Sequence, residues 1–171
     1  LDAEIIRDNV LAVSGQLDTT LGGADIDFRQ GETTQRRSIY LRHAYEKQMT
    51  MLVIFDAASP NECYRRSESI IPQQALALMN SSLSLGHSRQ LALRLWQVAS
   101  ADSPPQPRFV RDAFLQILSR PPAGEELEIC QKFLTDQAAT LSNTSNLTSF
   151  VGGAAPKFKP ATDPHHRARH R

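Results

Sequence analysis

The 171-residue chain has little cysteine, few aromatic side chains, almost no net charge and no long apolar run. Its two cysteines, Cys63 and Cys130, could form one disulfide, but they have no repeated spacing that would indicate a zinc site or a disulfide framework. A net charge of +1 and 6% aromatic residues argue against nucleic-acid binding, which needs basic surfaces and stacking side chains. No apolar run reaches the roughly 18 residues that cross a bilayer, so we predict no membrane span.

Motifs for cofactors are also missing from the sequence. It contains neither GxGxxG nor the GxxxxGK pattern followed by Ser or Thr, the glycine-rich motifs that cradle phosphates. It contains no CxxCH motif for covalent attachment of a c-type haem. His165, His166 and His170 lie in a basic segment without a cysteine or carboxylate cluster at metal-ligand spacing. We therefore predict no cofactor and no metal site in this chain.

Much of the chain has the apolar periodicity of α-helices. Asp2 is placed to cap a first helix, which we predict for Ala3–Ser14. Pro72 suits the first position of a helix because its φ angle is already helical, and strong helix formers follow it. We predict helices for Pro72–Asn80 and for about Leu83–Ala99.

Two further helices, on either side of the Pro121–Pro122 break, predict an antiparallel helical hairpin with a short connection. Their spacing defines facing apolar stripes, which we expect to be largely buried. The residues of these stripes are Phe109, Phe114, Ile117, Leu118, Leu127 and Phe133.

Two shorter runs are harder to assign: β-branched and aromatic residues favour a strand at residues 38–43, and residues 49–55 are interpreted as a helix.

The predicted fold class is mainly α. Residues 1–141 should form an irregular helical domain with an antiparallel helical hairpin and at most a short strand. Residues 142–171 should form a flexible linker or disordered tail, because this segment has too few apolar residues to offset the entropy lost on ordering. The first residue, Leu1, already lies in a helical pattern, which indicates a piece of a longer polypeptide.

Several sequence blocks resemble one known family. The longest is FDAASPNECYRRSESIIPQQALALMN over residues 55–80, and the others are LDAEIIRDNVLAVSG, LDTTLGG, RRSIYL and FLQILSRPPAGEEL. They resemble a planctomycete C-terminal domain of unknown function, found in large exported proteins behind a planctomycete cytochrome-c-like domain. The resemblance implies a periplasmic or extracellular location and a multidomain parent protein, with any c-type haem in another part of that protein. It implies no molecular activity.

Charged residues flank the apolar run at 49–55, and burial of that run should draw both flanks towards one surface. The candidate binding residues are Arg36, Arg37, Asp56, Cys63, Arg65, Arg66 and Glu68. Guanidinium groups bind carboxylates and phosphates in a bidentate manner, which would suit an anionic ligand. The same residues could instead form structural ion pairs. A nucleophilic Cys63 would need a base, and the spacing of His43 and His87 singles out neither.

Two functions are compatible with this sequence. The first is a structural or binding role, in which the domain contacts other domains of the parent protein or holds an anionic ligand or a polysaccharide. The alternative is a part of an enzyme that acts on a complex substrate such as a polysaccharide, with the segment at residues 55–80 forming one wall of the site.

Overall fold

The computed structural model describes residues 2–62 and 66–143, so the predictions for the tail beyond Asn143 lie outside the described residues. The fold is mainly helical, as predicted. The helices are α1 (Ala3–Val13), α2 (Thr50–Ile54), α3 (Pro72–Asn80), α4 (Ser82–Ala99), α5 (Gln106–Leu118) and α6 (Gly124–Ser142), with 3₁₀ turns at Phe28–Gln30 and Ser38–Tyr40. The chain forms two compact units, one up to His87 and one from Ser88, with the division inside α4. Within the described ranges, no helix combines the length and the hydropathy needed to span a bilayer.

One face of helix α1, which combines apolar residues with an arginine, is buried inside the first unit. Ala3, Arg7 and Leu11 recur every four residues, and all three are buried. Asp2 does occupy the N-cap position, but its side chain makes no cap hydrogen bond. Its backbone carbonyl accepts hydrogen bonds from the amides of Ile5 and Ile6 instead. Asp2 is therefore the N-cap residue, as predicted, although its backbone and not its side chain makes the hydrogen bonds.

Arg7 is the largest polar side chain in the interior of the first unit, and none of its surface is exposed. Its guanidinium donates to three backbone carbonyls of the following loop: Gly31 at 2.9 Å, Thr34 at 2.7 Å and Arg36 at 2.9 Å. It also donates to the Ser38 hydroxyl at 3.1 Å. Burial lowers the pKa of Arg7, although the neighbouring Asp8 acts in the opposite direction.

The apolar core of the first unit lies beside this arginine. Leu41, Met49, Met51, Leu52, Phe55 and Leu83 join Ala3 and Leu11 in one cluster. The run at residues 49–55 is helical in its centre, as predicted, and forms α2. A Cβ atom at Gly31 would overlap the buried side chain of Met49, so a larger residue there would force Met49 to shift.

The predicted strand at residues 38–43 is not formed. Ser38–Tyr40 is a 3₁₀ turn, and Leu41 makes only an isolated bridge with Ile26. Among the described residues, extended pairing is limited to such bridges, so no partner strand is present. Local β-propensity was outweighed here by the hydrogen bonds that Ser38 makes to α1.

The second unit contains the predicted hairpin of α5 and α6, which contact each other. Its short connection is fastened by Arg120, which donates two hydrogen bonds of 2.7 Å to Glu126. Arg120 is the main cause that lowers the pKa of Glu126 to about 2, and the Ala123 amide adds to the effect by donating to the same carboxylate. This fork holds the start of α6 beside the end of α5.

The burial predicted for the hairpin was wrong in part. Ile117, Leu118 and Phe133 are each more than half exposed, whereas Phe109, Phe114 and Leu127 are half-buried. The residue of α5 that is fully buried is Val110. Two helices have only one mutual seam, so a wide apolar stripe on each cannot be covered by the other.

A buried histidine packs against the C-terminal end of α1. The Ser14 hydroxyl donates to the Leu11 carbonyl at 2.9 Å and lies 3.0 Å from Nδ1 of His87. Ser14 and His87 Nδ1 therefore share a hydrogen bond, in which Nδ1 is the donor when the Ser14 proton is directed to Leu11. Burial lowers the pKa of His87 below its ordinary value of 6.5, and the positive charge of Arg7 adds to the shift.

We expect Arg7→Met to lower the free energy of unfolding by about 3–5 kcal/mol, since it removes a buried cation whose acceptors then lose their donor. Urea denaturation would measure the loss. The matched control is Arg29→Met, which changes an exposed arginine and should shift stability by no more than about 0.5 kcal/mol. Equal midpoints for the two variants would contradict the role assigned to Arg7.

We expect the first unit to lose stability as the pH falls below about 6.5, because His87 takes up a proton more readily in the unfolded chain than in the folded one. The contribution of His87 is complete above the unfolded-state pKa and is lost towards the lower folded-state pKa. The slope for one proton is at most about 1.4 kcal/mol per pH unit. Urea denaturation at several pH values should give a flatter profile for His87→Gln, and parallel profiles would contradict the assignment.

Candidate functional site

A groove of about 380 Å³ runs along α1 on the first unit. Its floor is apolar, with the buried side chains of Leu41, Met49 and Leu52. Its walls are strongly charged. The charged or titratable residues that line it are Asp2, Glu4, Asp8, Arg37, Arg42, His43 and Arg66. The groove therefore combines an apolar base with carboxylates and guanidinia of both signs.

The acidic wall of the groove belongs to the start of α1. Glu4 and Asp8 are four residues apart and so lie on the same helical face. Asp8 is held in place by Ser38, whose amide donates at 2.8 Å and whose hydroxyl donates at 2.6 Å to the same carboxylate oxygen. These bonds fix the 3₁₀ turn at Ser38–Tyr40 against the helix, and with it the adjacent Arg37.

The basic wall faces these carboxylates. Arg66 donates to Glu4 at 2.9 Å and lies 3.8 Å from Asp2, and Arg37 lies 3.8 Å from Asp8. Burial raises the pKa of Glu4, but the hydrogen bond from Arg66 and the nearby positive charges outweigh it, so the net shift is downward. The same hydrogen bond raises the pKa of Arg66.

Two further basic residues complete the rim. Arg42 donates to Asp25 at 2.5 Å, which holds its guanidinium at an exposed edge of the groove. His43 lies with Nε2 2.7 Å from the carbonyl oxygen of Ala58, so this nitrogen carries a proton and donates. That bond ties the rim to the segment that follows α2.

The structure brings Arg37 and Arg66 of the predicted residues into the groove but directs Arg36 elsewhere. The Arg36 guanidinium lies 4.2 Å from the ring centroid of Tyr40 and donates to the Gly22 carbonyl at 2.6 Å. Its Nε is 3.8 Å from Asp18. Arg36 therefore fastens the loop before the 3₁₀ turn, and it is not among the groove residues.

Asp56 follows α2 and forms hydrogen bonds with Ser69, and both residues belong to the longest family block. Asp56 has a left-handed backbone with φ of 58°, and its carboxylate accepts from the Ser69 amide at 2.7 Å and from the Ser69 hydroxyl at 2.8 Å. The bond from the Ser69 amide is the main reason that the pKa of Asp56 is lowered. Gln74 supports this contact by donating from its side chain to the carbonyls of Ile54 and Ser69 at 3.1 Å.

The remaining predicted residues have other positions. Glu68 is exposed and does not line the groove. Cys63 and Arg65 lie outside the described residues. Sequence reasoning missed the acidic wall of α1, although the like charges of Glu4 and Asp8 at one helical spacing are a signal that cationic partners face them. In the described part of the chain, no group of three His, Cys, Asp or Glu residues is arranged to hold a metal ion.

Residues 1–134 match the model of a family described as PSD1, protein of unknown function (DUF1553). The chain belongs to this family. The resemblance drawn from the sequence blocks is thereby confirmed as membership of a family of unknown function, and the match establishes no specific activity for PSD1. Neither the curated proteins nor the solved structures contain a match to the chain. The groove on α1 lies wholly within the part that matches PSD1.

We expect Arg66→Gln to raise the pKa of Glu4 towards its ordinary value of 4.5, since the substitution removes both the hydrogen bond and the charge of Arg66. NMR titration of the Glu4 carboxylate would measure this change. Because Glu4 is more acidic in the folded state, its stabilising contribution is present above pH 4.5 and is lost as the pH falls through the lower folded-state pKa.

The matched control for that titration is Arg108→Gln, which breaks an exposed ion pair in the second unit and should leave Glu4 unchanged. The Arg66 substitution should lower the unfolding free energy by less than about 1 kcal/mol, because exposed ion pairs contribute little. An unaltered Glu4 titration in Arg66→Gln would show that the pair does not form in solution.

Proposed function

We propose that this PSD1 chain is a binding domain of an exported multidomain protein, and that the groove on α1 contacts another domain of the same parent polypeptide. The observation that carries the proposal is the pairing of Arg66 with Glu4 and of Arg37 with Asp8 along one groove. The resemblance to domains that follow a cytochrome-c-like domain supports the choice of partner. On this proposal the protein acts in the periplasm or outside the cell, and any c-type haem belongs to the partner domain.

The ion pairs in the groove are suited to an exchange of partners. Arg37 and Arg66 are both substantially exposed, with 48% and 36% of their side-chain surface accessible. Exposed pairs of this kind are worth roughly 0–1 kcal/mol, so an incoming carboxylate can replace Glu4 or Asp8 at little cost. The planar guanidinium would then bind the new carboxylate through two parallel hydrogen bonds.

The composition of the groove favours a protein surface as its occupant. Three carboxylates and three guanidinia line it, so it presents both signs of charge, whereas a polyanion would meet repulsion from Asp2, Glu4 and Asp8. Ile39 is 72% exposed at the groove, and Ile5 is also exposed. Apolar side chains surrounded by polar ones are typical of contacts between domains.

The alternative enzyme function gains no support from the carboxylates of the groove. Hydrolysis of a glycosidic bond commonly requires a general acid whose pKa is raised so that it stays protonated near neutral pH. The pKa of Glu4 is lowered by its ion pair with Arg66, which is the opposite of that requirement. Binding is therefore the better conclusion for this groove.

We expect the double variant Arg37→Gln, Arg66→Gln to bind the remainder of the parent polypeptide at least about tenfold more weakly, a loss of about 1.4 kcal/mol. The two parts would be expressed separately and their affinity measured by calorimetry. Thermal stability should change little, since both arginines form exposed pairs. The matched control is Arg108→Gln, Arg120→Gln, which breaks exposed pairs in the second unit and should preserve binding.

Three results would contradict or redirect the proposal. Normal affinity with a much lower melting temperature would leave the groove arginines with a structural role alone. Equal losses in the groove and control variants would indicate a general charge effect. Binding of an acidic polysaccharide, lost in the groove variant, without any affinity for the parent polypeptide would identify carbohydrate as the occupant.

A further inference from the structure

A second depression continues the groove along α1. It has a volume of about 350 Å³, and three of its lining residues, Ile5, Asp8 and Arg37, also line the groove. Its apolar lining comes from Ile5, Ala12 and Leu17, and the shared Asp8 and Arg37 are the charged residues in that lining. The two depressions therefore meet at the pair formed by Asp8 and Arg37.

Arg37 is the groove arginine whose hydrogen-bond donors are still free. Arg66 already donates to Glu4, and Arg42 donates to Asp25. In the part of the chain that the structure describes, the guanidinium of Arg37 makes no hydrogen bond, and 48% of the side chain is exposed. Guanidinium groups pair with carboxylates through two parallel hydrogen bonds. The surface can therefore accept one carboxylate at Arg37.

Asp8 does not depend on Arg37 for its hydrogen bonds. Its Oδ1 atom accepts from the amide and the hydroxyl of Ser38 and from Nη1 of Arg7. Nε of Arg37 lies 3.8 Å from Oδ2, which is beyond hydrogen-bond distance. A ligand carboxylate can thus bind Arg37 while Asp8 keeps its three donors. A run of acidic residues would be repelled by the carboxylates at the start of α1, so the surface suits a single acidic residue.

The length of this surface fits a short extended segment. Glu4 and Ala12 lie eight residues apart on α1, which is about 12 Å along the helix axis, and Asp8 is midway between them. Five residues of extended chain span about 13 Å from the first to the last Cα atom. The middle residue of such a segment would lie at Asp8, and therefore at Arg37. Residues one, three and five of an extended chain point to the same side, so the two end residues would face the two depressions.

We propose that this surface recognises an internal segment of its partner with the pattern apolar–x–acidic–x–apolar, bound in an extended conformation along α1. The middle carboxylate pairs with Arg37, one apolar side chain lies over the groove floor at Leu41 and Met49, and the other packs against Ala12 and Leu17. An internal segment fits better than a chain terminus, because the depressions continue on both sides of Arg37 and a terminal carboxylate would leave one of them empty. This inference rests on the binding function proposed for the groove and names the chemistry of the partner.

NMR titration of the full chain with the peptide acetyl-Leu-Ser-Glu-Ser-Leu-amide tests the pattern. We expect saturable shifts at the amides of Ala12 and Ile39, with a dissociation constant on the order of 0.1–1 mM. Replacement of the peptide's Glu by Gln should weaken binding at least about fivefold, because it removes the charge that Arg37 binds. In Arg37→Gln the Glu and Gln peptides should bind equally, which isolates the contribution of this one pair. The matched control is Arg29→Gln, an exposed arginine outside both depressions, which should keep the difference between the peptides.

Two further peptides test the register and the source of the carboxylate. In acetyl-Leu-Glu-Ser-Ser-Leu-amide the carboxylate moves by one position and points away from α1, so this peptide should bind no better than the Gln peptide. Acetyl-Leu-Ser-Leu with a free terminal carboxylate should bind more weakly than the five-residue peptide. Tighter binding of this terminal peptide would assign the site to chain ends and overturn the proposal of an internal segment.

A variant of the second depression tests whether the ligand extends past Arg37. Ala12 is exposed on α1, so Ala12→Gln fills the depression without removing a core contact, and both residues are good helix formers. We expect this variant to bind the five-residue peptide at least about threefold more weakly, because one apolar side chain loses its place. The matched control is Ala138→Gln on α6, which should bind as the unchanged chain does. Unchanged affinity in Ala12→Gln would overturn the extension into the second depression.

The recognition pattern and the proposed contact with the parent polypeptide can fail separately. No peptide binding at about 5 mM, together with affinity for the remainder of the parent that is lost in the Arg37 and Arg66 double variant, would overturn the pattern alone. Peptide binding that depends on Arg37, without affinity for the remainder of the parent, would support the pattern and contradict the choice of partner. A difference between the Glu and Gln peptides that persists in Arg37→Gln would overturn the assigned pair.

Discussion

The buried guanidinium of Arg7 is the interaction on which the first unit depends. It lies on the inner face of α1 and satisfies three carbonyls of a loop that has no regular ladder of its own. Removal of such a group from water is costly, and the cost is offset only because nearly every donor has an acceptor. In a β-sheet protein, paired strands hold the loops that connect them. Here one side chain of a helix orders the loop at residues 31–38.

Asp8, the next residue along α1, connects the buried contacts of Arg7 to the surface groove. Arg7 and Asp8 both bond to Ser38, so the cation of α1 holds the start of the 3₁₀ turn from inside and the carboxylate holds it at the groove. Arg37 consequently has a fixed backbone beside an exposed wall. The groove therefore inherits its shape from the core.

The helices were largely predictable because their periodicity and end signals are local. α1 and α3 were predicted within one residue, and α3 begins at Pro72 as its fixed φ requires. The strand was mispredicted because β-propensity does not reveal that Ser38 bonds to residues thirty positions earlier. The burial of Ile117 and Phe133 was overestimated because periodicity identifies an apolar stripe on a helix but does not show whether another element packs on it. Of the groove, the sequence indicated Arg37 and Arg66 but not the carboxylates that face them, since that pairing joins residues up to 62 apart.

The contacts of α1 also bear on how rapidly the first unit folds. Small helical proteins usually fold quickly because most of their contacts join residues close in sequence. Here the first helix bonds to partners 24 to 31 residues away through Arg7 and 62 residues away through Glu4, and its C-cap residue Ser14 bonds to a partner 73 residues away. Its native environment therefore exists only after several large chain loops have closed. By the logic of contact order, this helical unit should fold at a rate closer to that of a mixed α/β domain than to that of a helical bundle.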